Sequence, residues 1–176
     1  ASKYGIEADE IENILDEARK KVLKVREERT RPLRDEKILS GWNGLMISSL
    51  ARGARVLGKY YEEKAEKALE NLKKLLWDEK ERILYRRYKD NEAKIPGFLE
   101  DYAYLSKGSF ELYQTTGEIE HLKFARDLCR LIKERFWEEK SKSLYYSSSK
   151  AEKLVTRPQE LTDQSKPSST GVATMM

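Results

Sequence analysis

The chain has 176 residues, 38% charged and 39% hydrophobic, which is enough for one domain with a sizeable core. Its 35 Lys and Arg and 31 Asp and Glu are interspersed, as on solvated helix faces, so we expect no nucleic-acid partner. No stretch approaches the roughly 20 apolar residues of a membrane span, so we expect no membrane partner either.

The chain contains one cysteine, Cys129, and one histidine, His121. A lone cysteine forms no intramolecular disulfide, which predicts a cytoplasmic protein, and its apolar surroundings indicate a small buried side chain. The charged neighbours of His121 predict a surface residue. This composition leaves no ligand set for zinc and makes a Ser-His-Asp triad improbable, and there is no nucleotide-binding glycine loop, so we expect no cofactor.

The dominant pattern is a repeat. The stretch around Trp77 recurs around Trp137, and the same offset pairs neighbouring positions in both directions along the chain, as far back as Trp42 with Tyr102. A fixed period of this length indicates a repeated unit whose copies bury their apolar faces against each other. The period fits two helices and a short tail.

Residues 7–29 form the first predicted element, an amphipathic helix. Its apolar residues follow a 4-3-4-3 spacing on one stripe: Ile11, Leu15, Ala18, Val22 and Val25. Pro32 closes the segment. The stripe fits either an outer helix or a self-associating one.

The first repeat is predicted at about residues 38–88. Residues 38–57 are apolar on more than one side and predict a buried inner helix that ends at Gly58. Residues 59–77 carry a single apolar stripe and predict its outer partner, so the pair forms an αα-hairpin. Residues 83–88 fit either a strand or a turn-rich tail.

The second repeat is predicted at about residues 98–148, with Gly117 closing its inner helix, and a truncated third begins at about 162. We expect the whole chain to form one partial domain. Two hairpins and a part of a third cannot close a ring, and the chain starts and stops within its pattern, so we expect a fragment. Its open helical faces predict a homo-oligomer.

Polar residues gather at the three junctions that lead into inner helices. They are Asp35, Lys37, Trp42 and Asn43, then Glu100, Asp101 and Tyr102, then Arg157, Asp163 and Ser168. Hairpins stacked side by side would place these junctions on one rim. Aromatic rings, carboxylates, an amide and an arginine suit a carbohydrate ligand.

Glu100, Asp101 and Asp163 are the candidate catalytic residues, and the other seven are candidates for substrate binding. Glu100 and Asp101 point about 100° apart on a helix, so a catalytic pair needs different hairpins, such as Glu100 with Asp163. Both carboxylates also fit a structural role in the first helical turn. Core packing for Trp42 and a backbone tie for Asn43 remain open as well.

Three sequence blocks carry a family resemblance. Residues 31–47 read RPLRDEKILSGWNGLMI, residues 99–103 read LEDYA, and Arg157, Asp163 and the Pro167-Ser168 pair follow in the same order. Together they resemble the spermatogenesis-associated protein 20 family of thioredoxin-domain proteins. The resemblance covers about residues 31–176.

The resemblance implies an all-α fold of tandem αα-hairpins with short β-tails, forming part of an α/α toroid of the six-hairpin glycosidase type. It implies carbohydrate binding or processing by analogy of fold. The chain departs from the family pattern at Gln164-Ser165 and Ser169-Thr170, so we expect no turnover from this piece. The alternative is a non-catalytic interaction module that serves a thioredoxin-like partner.

Overall fold

The computed structural model describes residues 5–150 and 156–176. The chain divides into two compact units, residues 1–36 and residues 37–176. The helices of the described residues are α1 Ala8–Glu27, α2 Ser40–Leu57, α3 Lys59–Leu76, α4 Leu99–Thr116, α5 Ile119–Phe136 and α6 Ser169–Met175. The strands are β1 Ile38–Leu39, β2 Trp77–Asp78, β3 Ile83–Lys89, β4 Glu92–Pro96, β5 Trp137–Glu138 and β6 Ser143–Leu144. No helix within those residues is long and apolar enough to cross a bilayer.

The first unit contains the amphipathic helix α1. Asp9 and Glu10 lie in its first turn and Lys24 and Arg26 in its last, where each charge complements the helix dipole. None of its residues is buried. The predicted stripe is therefore present but is not packed into a core.

The second unit contains the two predicted hairpins, α2 with α3 and α4 with α5. The inner helices lie side by side, and α4 contacts both α2 and α6. Glycines allow this close approach: a Cβ added to Gly44 would lie 2.6 Å from the backbone nitrogen of Leu105. One added to Gly108 would lie 2.6 Å from the carbonyl oxygen of Gly44. The tandem hairpins of the predicted fold are confirmed.

Each hairpin ends in a short antiparallel tail. Trp77 pairs with Leu84 in the first tail, and Trp137 pairs with Leu144 in the second. The turns also correspond, since Arg82 and Lys142 adopt positive φ angles of 52° and 48°. Both tails therefore contain strands, one of the two alternatives that the repeat left open.

The first tail is longer than the sequence indicated. β3 pairs with β4 through a turn at Asp90 and Asn91, whose φ angles of 54° and 58° suit a tight hairpin. β3 also pairs with β1 at its other edge, with Ile38 opposite Tyr88. This small sheet places β3 beside the start of α2.

The repeat has two slightly different offsets. The outer helices α3 and α5 begin at Lys59 and Ile119, so their offset equals that between Trp77 and Trp137. The inner helices α2 and α4 begin at Ser40 and Leu99, so their offset is one residue shorter. The single extra residue lies in the turn between α4 and α5. The predicted equivalence of Trp42 with Tyr102 is therefore wrong by one position, and Asp101 occupies the place of Trp42.

The third inner helix begins near Ser168, after an irregular stretch. α6 starts at Ser169, and its N-cap Ser168 accepts a hydrogen bond from the backbone of Gly171 at 3.1 Å. Residues 156–168 before it are irregular. Pro167 disfavours helix at the residue before it, so the helix begins only after Pro167.

His121 is half-buried in α5, which corrects the surface position predicted from its neighbours. Burial is the main cause that lowers the pKa of its imidazole below the usual 6.5, and the ammonium of Lys73 acts in the same direction. The carboxylates of Glu66, Glu118 and Glu70 oppose the shift. The unfolded chain therefore binds this proton more readily than the folded chain.

We expect the free energy of unfolding to fall as pH decreases below 6.5 and to level off below the lowered pKa of His121. Urea unfolding at about pH 7.5 and about pH 5.5 measures this loss, and His121→Gln should remove most of it. An equal loss in both proteins would assign the pH dependence to other groups.

Candidate functional site

A cavity of about 400 Å³ opens where two hairpins and the loop before α6 meet. It is lined by Trp42, Leu45, Arg86, Glu100, Ser165 and Lys166. Trp42, in the first turn of α2, is 64% exposed, whereas Glu100, at the start of α4, is 2% exposed. The cavity therefore combines an accessible aromatic ring with a buried carboxylate.

Three donors surround the carboxylate of Glu100. Its Oε1 accepts hydrogen bonds from Arg86 Nη1 at 2.6 Å and from the hydroxyl of Tyr146 at 2.8 Å. The ammonium of Lys166 forms an ion pair with Oε2. A buried carboxylate is costly unless it is paired and hydrogen-bonded, and these groups supply that compensation.

The carboxylate of Asp101 connects the first two junctions. Its Oδ1 accepts hydrogen bonds from the hydroxyl of Ser40 and the backbone of Gly41, both at 3.0 Å. Its Oδ2 accepts from the backbone of Phe98 at 2.9 Å and from Arg86 Nη1 at 3.0 Å. The bond to Phe98 is the helix-capping contact that the sequence left open. Burial raises the pKa of Asp101, and its donors, Arg86 foremost, oppose that shift.

Aromatic rings hold Arg86 in place. Its guanidinium carbon lies 5.1 Å from the centre of the Phe98 ring, and that ring stacks on Tyr146 at 4.9 Å. A guanidinium on an aromatic face gains a cation–π contact and keeps its hydrogen-bonding fork in one orientation. Arg86 is thus fixed between β3 and the start of α4.

Lys166 brings the loop before α6 into the site. Its ammonium also lies 3.4 Å from Glu160 Oε1, so it bridges two carboxylates. Burial lowers the pKa of Lys166, and the nearby positive charge of Arg86 lowers it further. The hydroxyl of Tyr104 donates to the carbonyl of Pro167, which fixes the loop to α4.

Other predicted site residues lie away from this cavity. Tyr102 is 1% exposed, and its hydroxyl accepts hydrogen bonds from the backbone of Leu84 and from Arg135. It lines a separate cavity of about 260 Å³. Asn43 donates to the carbonyl of Leu39 at 2.8 Å, which is the backbone tie that the sequence left open.

The third junction is built mainly from local contacts. Arg157 donates to the carbonyl of Ser147 at 2.7 Å and lies over the Tyr145 ring, so it supports the second tail. Asp163 accepts from the backbone of Ser168 at 2.7 Å. Arg157 and Asp163 therefore make contacts within this loop or with the adjacent second tail.

The remaining two candidates precede β1. Lys37 is exposed at the start of the second unit, and Asp35 is exposed in the first unit. Lys37 does not line the cavity beside Trp42.

Sequence reasoning missed four polar residues of this site: Arg86, Tyr146, Glu160 and Lys166. The repeat contained a signal for three of them. Arg86 and Tyr146 are separated by the same offset as Trp77 and Trp137, and Glu160 follows Glu100 by that offset too. Lys166 has no such signal. Within the described parts of the chain, no group of three or more His, Cys, Asp and Glu side chains is placed to hold a metal ion.

The hairpin arrangement resembles solved structures of one fold class. Cellobiose 2-epimerase from Bacillus thermoamylovorans matches 65% of this chain and 33% of its own, with 12% identity and a TM-score of 0.59. The GH76 α-mannanase BT2949 of Bacteroides thetaiotaomicron matches 66% and 33%, with 12% identity and a TM-score of 0.59. A D-mannose isomerase matches 64% and 30%, with 14% identity and a TM-score of 0.55. The predicted fold class is confirmed: the chain has the hairpin arrangement of the six-hairpin α/α toroid.

Curated relatives share sequence with nearly the whole chain. Spermatogenesis-associated protein 20 of Rattus norvegicus is 29% identical over 92% of this chain, and that of Homo sapiens is 28% identical over 93%. An uncharacterized protein of Caenorhabditis elegans is 30% identical over 98%. No family model matches the chain. The resemblance to the spermatogenesis-associated protein 20 family is confirmed by these homologues.

The chain is much shorter than these relatives. It spans 24% of the Caenorhabditis elegans protein, 21% of the rat protein and 22% of the human protein.

Proposed function

We propose that the cavity beside Trp42 binds a carbohydrate. The observation that carries this proposal is the exposed indole of Trp42 in the wall of a cavity that also contains Glu100, Arg86 and Lys166. An aromatic face packs against the C–H surface of a sugar ring, and charged groups hydrogen-bond its hydroxyls. The named activities of the structural neighbours, an epimerase, a mannanase and an isomerase of sugars, support the same ligand class.

The side chains have different roles in this proposal. Trp42 supplies the stacking surface, and Arg86 and Lys166 donate to sugar oxygens at the cavity wall. Glu100 is a positioning residue for Arg86 and Lys166, because both cations pair with its carboxylate. Asp101 is a positioning residue, because its hydrogen bonds join α2, α4 and β3.

We propose further that the chain binds without turnover. Arg86, Tyr146 and Lys166 engage both oxygens of Glu100, so neither oxygen is free to exchange a proton with a substrate. Asp163, the second carboxylate of the predicted pair, is exposed and is engaged by the backbone of Ser168. General acid–base catalysis needs a carboxyl group within reach of the reacting oxygen, and the contacts of Glu100 and Asp163 support binding without that step.

Tryptophan fluorescence tests the proposal. Titration with cellobiose, mannose and their oligomers should shift the emission of the native chain, and Trp42→Ala should abolish the response. Trp137→Phe is the matched control, because Trp137 lies in the second tail and should leave the response intact. Calorimetric titration of the same three proteins gives a readout that does not depend on fluorescence.

Two outcomes of the sugar titration would contradict the proposal. No response across the panel, with circular dichroism showing an intact fold, would reject carbohydrate binding and favour the interaction module that serves a thioredoxin-like partner. A response that survives Trp42→Ala would place the sugar elsewhere on the chain. For either function we propose the reducing cytosol as the setting, because of the single cysteine.

A further inference from the structure

The helix α1 presents an apolar stripe with the spacing of a coiled coil. Written as heptads, its a and d positions form three successive pairs: Ala8 with Ile11, Leu15 with Ala18, and Val22 with Val25. Leu15 is 48% exposed, Val22 is 68% exposed and Val25 is 57% exposed. Such a stripe is the seam along which a second helix packs, and no residue of α1 is buried.

The charges of α1 are divided between its two halves. From Glu7 to Glu17 there are six carboxylates and no basic residue, and from Ala18 to Arg26 there are five basic residues and no acidic one. This separation follows the helix dipole, but it also makes the two ends of α1 complementary to each other. A second copy in the opposite direction places acidic half against basic half.

We propose that α1 is a self-association surface that pairs antiparallel with α1 of a second copy of this chain. In the central layers of that pairing, Leu15 meets Ala18 of the second copy, and Ala18 meets Leu15 of the second copy. In the flanking layers, Val22 meets Ile11 of the second copy. Large side chains thus meet small ones at the centre, which knobs-into-holes packing accommodates.

The same features disfavour the parallel arrangement. There, Ala18 would face Ala18 of the second copy and leave a gap, because neither methyl group fills the layer. The acidic halves would also face each other, as would the basic halves, and like charges at this range repel. Both packing and charge therefore select the antiparallel pair.

Sedimentation of the complete chain tests whether α1 drives association. We expect the mass to approach twice 20.6 kDa as concentration rises, and Leu15→Asp to restore the monomer mass at every concentration. Asn13→Asp is the control, because it introduces the same charge on the opposite face of the helix and should leave the dimer intact. A native chain that stays monomeric, or a dimer that survives Leu15→Asp, overturns the proposal.

Disulfide trapping tests whether the two α1 helices run antiparallel or parallel, and it does not rely on a variant that could disturb folding. In a Cys129→Ser background, Ile11→Cys combined with Val22→Cys should give a covalent dimer under mild oxidation. Val22→Cys alone should not, because the two positions 22 lie far apart in an antiparallel pair. Efficient trapping of the single variant would show a parallel pair and overturn the antiparallel proposal.

Raising the salt concentration should weaken the native dimer, since screening reduces the attraction between the charged halves.

Discussion

We expect Arg86→Ala to lower the free energy of unfolding by about 3 to 5 kcal/mol, the largest effect of any single substitution proposed for this chain. Arg86 is the cation shared by Glu100 and Asp101, whose side chains are 3% and 2% exposed. Its removal leaves two buried carboxylates close together with less compensation. Urea unfolding followed by far-UV circular dichroism measures the loss.

The neighbouring Arg87 provides a matched control. It has the same side chain on the same strand but projects to the opposite face of β3. Arg87→Ala should cost about 1 kcal/mol or less, as expected for a position outside the buried network. Similar losses for both variants would show that the arginine side chains matter for covering the strand rather than for pairing the carboxylates.

The second large effect is expected from Gly44→Ala, which should destabilise the fold by about 3 kcal/mol. The added Cβ would lie 2.6 Å from both Leu105 N and the carbonyl carbon of Tyr104. Backbone atoms cannot rotate away as a side chain does, so α2 and α4 must separate. The expected loss exceeds the propensity gained when alanine replaces glycine in a helix, about 1 kcal/mol.

Gly53 tests the same substitution in the same helix without the collision. The nearest atom to its added Cβ is Leu57 Cδ1 at 3.9 Å, an ordinary contact. Gly53→Ala should therefore stabilise the chain by about 0.5 to 1 kcal/mol. Opposite signs for the two variants would confirm that close helix approach requires Gly44, whereas two stabilising changes would contradict the tight packing of α2 on α4.

The hairpins could be predicted because their signals are local and occur twice. Gly58 and Gly117 close the inner helices, with φ angles of 97° and 77°, and the outer helices each carry one apolar stripe. The one-residue difference between the offsets was hidden, because both inner helices are apolar nearly all round and can be aligned in more than one register. Only the helix bounds distinguish the two offsets.

The β3–β4 hairpin could not be read with the same ease. Its turn residues, Asp90 and Asn91, favour a tight turn, but β4 has only five residues and an exposed surface. Its residues 92–95 do alternate polar and apolar, but a run this short that leads into Pro96 and Gly97 is typical of a turn between repeats. The consequence is functional, because β3 is the element that brings Arg86 to Glu100.

The residues of the candidate site could likewise be predicted only in part from the sequence. Trp42 and Glu100 could be selected from the sequence because junctions into inner helices are polar and because each repeat implies the next. Lys166 is far from Glu100 along the chain and reaches it through a loop without regular structure, so no periodicity predicts the contact. Tyr102 was selected as an aromatic residue at a junction, yet its helical position points its hydroxyl to the first tail.

Arg86 and Tyr146 occupy corresponding places in successive tails and meet at one oxygen of Glu100. If both were arginine, two guanidinium groups would compete for that oxygen and repel each other. A cation from one copy and a neutral hydroxyl from the next avoid this conflict. The tandem copies are therefore not interchangeable modules, because the point where they touch needs a different side chain from each copy.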